Sequence, residues 1–478
     1  MWVSLGDAQD DLLRNNQFYI INLSFNIKFK FMPTHTDLLR LRLAAGPQSG
    51  TQLAKGLGIS QPTVSRALAT MAGEVLQLGQ KKGSRYVLRD AGRDFGDVPV
   101  FRVDAQGKLH ELGVLTPVRP DGFVFTQADG LQVHSDGLPW WLLDMLPQGY
   151  LGRAYAAHHG ATLGLPSNLN EWTDNHALRA LLVHGHDGVG NLLLGPTSRE
   201  KFIGMPEPTA VPLLDKPMAY AHLAQGASQG DSPGSSAGGE QPKFTAYAQT
   251  SAGPAHVLVK FSELPDSPVS QRWRDLLLAE HLALTTLRQA GAAAAVSTVV
   301  DHAGQRFLEV ARFDREAEMG RKAVVSLRAL DAEFVGDAHQ AWPVLVSRLA
   351  GLGVVPPEAA DATELLWAFG VLIGNTDMHA GNLSFMSDTG RPYHLAPAYD
   401  MTPMAFAPSS GGKLNNTIPS LALHASVRND FWRQALALAQ SYFATLRDSH
   451  GLSQDFDVCV DALEAHLENA GQQISRLG

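Results

Sequence analysis

Apolar and polar positions change their period several times along this chain, and each change marks an element. "TDLLRLRLAAG" has helical spacing, with Asp37 near its start and Gly46 after its end. "SGTQLAKGLGISQPTVSRALATMA" predicts a helix through Leu53 to Leu57, a break at Gly58, a turn through Ile59 and Ser60, and another helix with Pro62 in its first turn. Ala54, Leu57, Ile59, Val64 and Leu68 are spaced to form a small core between two crossing helices. "LQLGQKKGSRYVLR" then reads as a two-stranded wing. From Val98 to about Thr197 short strands alternate with turns, and "WWLLDMLPQGYLGRAYAAHHG" is helical. Pro196 to Gly234 is rich in Pro, Gly and Ser and is expected to be a linker or mobile loop. Beyond it, "AHVLVKFS" alternates as a strand, "RWRDLLLAEHLALTTLRQAG" is a long helix, and "QRFLEVARFDRE" begins as a buried strand. "FWRQALALAQSYFATLRD" and "VCVDALEAHLENAGQQISRL" close the chain as amphipathic helices.

Bulk properties narrow this picture. The chain has 478 residues, too many for one core, so several domains are expected. Hydrophobic residues make up 45% and charged residues 18%, a globular composition. One cysteine, Cys459, excludes an intrachain disulfide framework and a thiolate zinc site, and fits a reducing compartment such as the cytoplasm. No apolar run reaches the length of a transmembrane helix, so no membrane partner is expected. Residues 1–31, with "NNQFYIINLSFNIKFKF", differ in composition from the rest and lack signal-peptide features. They are expected to be a disordered or mis-started extension, with translation beginning at Met32.

Charge changes the reading of the first module. The net charge of −9 argues against general nucleic-acid affinity, yet Thr34 to Gly96 holds nine basic residues against four acids. A turn between two helices, a wing and a local +5 predict a DNA-binding module over residues 32–96. Gln61, Thr63, Ser65 and Arg66 on the second helix suit base edges and phosphates, and Lys81, Lys82 and Arg85 would meet phosphates from the wing.

The chemistry concentrates further on. "GSSAGGEQPKFTAY" offers small residues whose amides can approach a phosphate, followed by Lys243. Lys260 ends a strand one hairpin later, and Glu280, among leucines of the next helix, is placed to pair with it. In "LIGNTDMHAGNLSFM", Asn375, Asp377, His379 and Asn382 crowd between apolar runs. Asp377 and Asn382 have the spacing of a kinase catalytic loop, in which the Asp accepts a hydroxyl proton and the Asn holds magnesium. Magnesium takes hard oxygen ligands. A second carboxylate is therefore expected on a nearby strand, and "YHLAPAYDM" supplies Asp400. "HGHDG", with His184, His186 and Asp187, hints at a metal site but lacks further ligands at helical spacing.

"SSAGGEQPKF", "VLVKFS", "ARFDR", "GNTDMHAGNLSF" and "LAPAYDM", in that order, resemble the HipA family of serine/threonine kinase toxins. The N-terminal module makes the layout similar to the family's YjjJ-like group. The resemblance covers roughly Val98 to Gly478. It implies an α+β fold: a winged helix-turn-helix (32–96), a β-rich subdomain and linker (97–233), a nucleotide lobe (234–315) and a mostly helical, protein-kinase-like C-terminal lobe (316–478). It implies ATP and Mg2+ as cofactors, Asp377 as catalytic base, and Asn382 and Asp400 as magnesium ligands. Lys260 and His379 would belong to the nucleotide site, Gly238, Gly239, Glu240, Gln241 and Lys243 would cover the phosphates, and Ala311 to Phe313 would face adenine. Ser236 would be autophosphorylated, ejecting the phosphate loop, with Ser235 as the competing position. The implied partners are a protein substrate, for which aminoacyl-tRNA synthetases are the family precedent, and an antitoxin. Glu240 and Ala311 depart from the family motifs, as does a DNA-binding module in cis. Two other readings share these residues: a transcription regulator with an inactive kinase fold, and a metal-dependent nuclease that uses His184 and His186.

Overall fold

The computed structural model describes residues 33–79, 83–229 and 241–477. The sequence expectations for residues 1–31, Lys81, Lys82, Ser235, Ser236, Gly238, Gly239 and Glu240 lie outside the described residues.

The chain opens with helix α1 (His35–Leu43), the short strand β1 (Gln48–Ser49) and helices α2 (Gly50–Leu57) and α3 (Gln61–Thr70). Strands β2 (Val75–Leu78) and β3 (Arg85–Leu88) follow, and the sheet order is β1-β3-β2. Local chemistry sets these ends. Thr34, Ser49 and Ser60 cap the three helices with their hydroxyls. Gly58 ends α2 at φ +66, where a residue with a Cβ is disfavoured. Leu39, Leu43, Leu53, Val64 and Leu68 make the core, with Ala54, Leu57 and Ile59 packed against it. The sheet has a third strand, β1, that the sequence pattern did not reveal; two residues are too few to show alternation.

A five-stranded antiparallel sheet follows, ordered β7-β6-β5-β4-β8, from β4 (Val98–Val103), β5 (Leu109–Val118), β6 (Gly122–Gln127), β7 (Gln132–Ser135) and β8 (Leu192–Leu194). A 3-10 turn at Trp140–Met145 and helices α4 (Gly149–Leu163) and α5 (Asp174–His184) lie between β7 and β8. The first unit is sewn to this sheet. Arg89 bridges Val118, Arg119 N–H donates to Leu88 O (2.8 Å), and Val87 packs with Val118 and Val124.

The stretch expected to be a linker contains two helices, α6 (Gly195–Ile203) and α7 (Lys216–Gln229). Pro196 and Pro217 stand in their first turns, where proline's missing N–H is harmless. Composition suggested a loop, but Tyr220, Ala224 and Ala227 recur at helical spacing and are all buried. They pack on the back of a second antiparallel sheet, ordered β11-β12-β10-β9. Its strands are β9 (Lys243–Thr250), β10 (Gly253–Phe261), β11 (Ser297–His302) and β12 (Gln305–Ala311), with helix α8 (Pro268–Gln289) inserted after β10.

After the hairpin β13 (Arg315–Glu316) and β14 (Gly320–Arg321) comes β15 (Val324–Ser326). It leads into the helical lobe: α9 (Leu327–Phe334), α10 (Trp342–Gly351) and α11 (Pro357–Leu372). Strands β16 (Ser384–Met386) and β17 (His394–Leu395) complete a three-stranded sheet with β15, before α12 (Asn429–Arg447) and α13 (Asp457–Ile474). A large core unites this lobe with α8 through Leu284, Leu287, Trp342, Phe369, Trp432 and Tyr442.

Candidate functional site: a charged cleft between the lobes

A cleft of about 660 Å³ runs between the β9–β12 sheet and the helical lobe. Its inner end is built by strand alternation. On β10, Val257, Val259 and Phe261 face the α7 core, so Leu258 and Lys260 face the cleft. Lys260 Nζ donates to both Glu280 carboxylate oxygens at 2.8 Å and also pairs with Asp400. Thr402 Oγ1 donates to Glu280 Oε2 at 2.7 Å. Lys243, opposite Lys260 in the β9–β10 register, is buried at the same end. At Asp400 and Lys260 burial works against the charge, and opposite charges override it. Burial would raise the Asp400 carboxyl, but Lys260 and then Lys243 hold it below the usual carboxylate range. Burial would likewise lower the Lys260 ammonium, but Asp400 and then Glu280 hold it up.

The polar segment from Asn375 to Asn382 builds the floor. Helix α11 ends, Gly374 turns the chain at φ +79, and Asn375 is buried beneath the loop. Asn375 Oδ1 accepts from Asp377 N–H (3.1 Å), and Asn375 Nδ2 donates to Asp400 O (3.1 Å). One amide thus joins the two acidic segments. Asn382 Nδ2 donates to Asp377 O (2.8 Å), which leaves its Oδ1 as the donor atom for a cation. His379 Nδ1 accepts from Gly381 N–H (3.0 Å), and His379 O accepts from Trp342 Nε1 (2.9 Å). The Asp377 side chain is 54% exposed, against 24% for Asp400 and 1% for Glu280. Asp400 was expected on a strand. It lies beyond β17 at φ +54, an unfavourable conformation for an aspartate and one common at functional positions.

At the outer end lie Val189, Val310, Ala311, Arg312, Phe313 and Val324. Ala311 N–H donates to Val296 O (2.8 Å) and Arg312 N–H to His256 O (2.9 Å), so both are committed within the sheet. The Arg312 guanidinium is held by both Asp314 oxygens, at 2.9 and 2.8 Å. Phe313 lies tilted against Tyr399, ring centroids 5.7 Å apart.

The cleft therefore gathers Lys243, Lys260, Ala311, Phe313, Asp377, His379, Asn382 and Asp400 from the sequence expectations. Gln241 is half-buried just before β9, with Oε1 lacking a partner among the described residues. His184 and His186 do not line the cleft: His184 Nδ1 meets Tyr155 OH (2.8 Å), and Asp187 accepts from Arg315 Nη2 (2.9 Å). Among the described residues no three His, Cys, Asp or Glu groups form a metal cluster, so the metal hint at these positions is not supported. Asp144, Gln148 and Gly149 also line the cleft, and no sequence signal marked them, because they belong to the preceding unit.

In the first unit Ser65 and Arg66 are exposed on α3. Gln61 Nε2 donates to Thr51 Oγ1 (3.0 Å), and Thr63 Oγ1 lies 2.9 Å from the capping Ser60 Oγ. Arg85, which pairs with Leu78 at the loop end of the β2–β3 hairpin, donates from Nη2 to Pro47 O (3.0 Å).

Fold and site together define a two-lobed α+β protein with a charged, interlobe cleft. Residues 95–203 match the model of the YjjJ-like toxin middle domain, and residues 235–470 match the HipA-like C-terminal domain. Toxin YjjJ of Escherichia coli (strain K12) is 39% identical over 445 residues, covering 93% of this chain and 99% of that protein. The chain belongs to the HipA-family toxins, alongside YjjJ. Among solved structures, HipA of Shewanella oneidensis MR-1, from a complex with HipB and operator DNA, covers 80% of this chain and 99% of its own at 15% identity and TM-score 0.48. The Helicobacter pylori proinflammatory kinase CtkA covers 50% and 93% at 12% identity and TM-score 0.35.

Proposed function

We propose that this toxin is an ATP- and Mg2+-dependent protein kinase acting on Ser or Thr. The observation that carries the reading is the pairing of a buried Lys260–Glu280–Asp400 cluster with an exposed Asp377 across one cleft. The donor set fits the nucleotide and its metal: two ammonium groups for phosphate oxygens, and a carboxylate and an amide oxygen for a hard cation. When bound, magnesium ATP supplies the phosphoryl group and neutralises the charge that develops on it. Lys260, fixed by Glu280, holds phosphate oxygens, and Lys243 adds a second positive charge. Asp400 and Asn382 hold the cation. Asp377, exposed enough to meet a protein side chain, accepts the proton of the attacking hydroxyl. The Ala311 carbonyl and the Phe313 backbone would face the purine, since the Ala311 and Arg312 N–H groups are engaged elsewhere.

Residues 32–96 are read as a winged helix-turn-helix that binds DNA, with Arg66 and Ser65 facing the groove. Gln61 and Thr63, held within the unit, serve its packing as well. Self-inactivation through Ser236, an antitoxin partner, a cytoplasmic setting and an aminoacyl-tRNA synthetase as substrate extend the reading by family resemblance.

The test is incubation of the full chain with γ-labelled ATP and magnesium, followed by phosphosite mapping. Label on a serine or threonine of the wild type and none in Asp377→Ala supports the reading. Equal labelling in both removes Asp377 as base. Magnesium-dependent nicking of supercoiled DNA without phosphotransfer would favour a nuclease instead.

A further inference from the structure

Asp144 lies in the 3-10 turn Trp140–Met145, outside both lobes, yet it reaches the cleft wall. Its carboxylate receives two short hydrogen bonds from one residue: Ser326 N–H donates to Oδ2 and Ser326 Oγ–H to Oδ1, both at 2.6 Å. Ser326 ends β15 and caps α9. From there contacts lead to the catalytic loop. Ser326 stands opposite Ser384 in the β15–β16 register, and Leu327 N–H donates to Leu383 O (2.7 Å). Ser384 Oγ–H meets Tyr399 OH (2.7 Å), which donates to Gly381 O (2.9 Å). Asn382, next in the chain, donates to Asp377 O (2.8 Å).

We propose that Asp144 is a positioning residue for phosphoryl transfer, acting through Ser326, Ser384 and Tyr399 on the Gly381–Asn382 segment that holds Asp377. The inference rests on the kinase reading of the cleft. The carboxylate accepts both bonds with its negative charge and lies 3.6 Å from Arg328 Nη2, whereas an amide would reverse the bond to Ser326 Oγ, leave the hydroxyl hydrogen without this acceptor and remove the charge. None of these bonds ends on the side chains of Lys243, Lys260, Glu280 or Asp400, so among the groups assigned to the phosphates and the cation only Asn382 lies on the path.

The experiment uses the full chain with Asp144→Asn, Ser326→Ala and the double variant. Turnover is counted per ATP-binding site, so partial unfolding does not imitate the effect. Asp144→Asn is expected to lower kcat by about tenfold or more, since small misplacements of reacting groups are costly. KM for ATP should rise by clearly less than kcat falls, since Lys243, Lys260 and Asp400 keep their places. The double variant should be little worse than Asp144→Asn, as for residues on one path. Hydrogen exchange should quicken at the amides of Leu327 and Asn382, which donate to Leu383 O and His379 O. Wild-type kcat and exchange in Asp144→Asn would overturn the proposal, as would a matching rise in KM. If the wild type transfers no phosphate, the kinase reading fails. Exchange then decides the coupling alone: unchanged protection at Leu327 and Asn382 overturns it, and faster exchange supports it.

Discussion

Asp377 and Asp400 are the same side chain in two surroundings, and the surroundings predict different failures. Asp400 sits beside two ammonium groups, and Asp377 stands open to the cleft mouth. Asp400→Asn should therefore weaken magnesium-dependent ATP binding, measured by calorimetry with and without the metal. Asp377→Ala should leave that binding near wild type while kcat falls about 10²- to 10⁴-fold, the range for loss of a general base. Comparable losses of ATP binding in both variants would refute this division. Histidine gives a second residue-scale prediction. Burial, with Lys201, His159 and His186 adding to it, pushes His184 down to about 4. In the unfolded chain a histidine titrates near 6.5, so between about pH 6.5 and 4 the unfolded state binds the extra proton. Stability should fall as pH drops through that window. Melting temperatures from pH 7 to 4.5 should decline less steeply in His184→Gln, and parallel curves would contradict the assignment.

Among the elements, helix α11 and its turn carry the proposed catalytic loop, and their packing is tight. A Cβ on Gly370 would collide with Met378 Sδ, one residue from Asp377, so that side chain would have to move. Gly370→Ala should cost about 1–3 kcal/mol for overpacking, partly offset by about 1 kcal/mol of helix propensity. It should also lower kcat more than ATP affinity, measured on the same sample, because the displaced side chain adjoins the base. Much at this scale was legible in the sequence. Gly58, Pro62 and the alternation around Lys260 are local signals, and they mark a turn, a helix start and a strand. The segment from Asn375 to Asn382 stood out because polar groups between apolar runs need partners, and Asn375 supplies them. The helices at 195–203 and 216–229 were hidden by proline and glycine content, although Tyr220, Ala224 and Ala227 kept the helical period. Asp144 and Ser326 meet across 182 positions, a contact that no local pattern can announce.

The whole molecule is held together by seams between its units. Val87, Val118 and Val124 form one of them, all three fully buried, so a charge placed there would lose its hydration. Val118→Asp should open this seam, add a protease-sensitive site between residues 89 and 97, and split thermal unfolding into two steps. A single unchanged transition would show that the seam carries little of the coupling. Across the DNA-binding reading, Arg66→Ala should weaken binding and blur sequence preference, checked by competition with scrambled duplexes at fixed salt. The seam has a consequence for regulation by concentration. Two units joined by one chain and a buried contact keep a fixed one-to-one stoichiometry at any dilution. Such a pair has no dissociation equilibrium for the cell to shift by degrading one component. Control of one unit by the other can therefore run through a change of shape within a single molecule, with a rate that does not depend on how many copies are present.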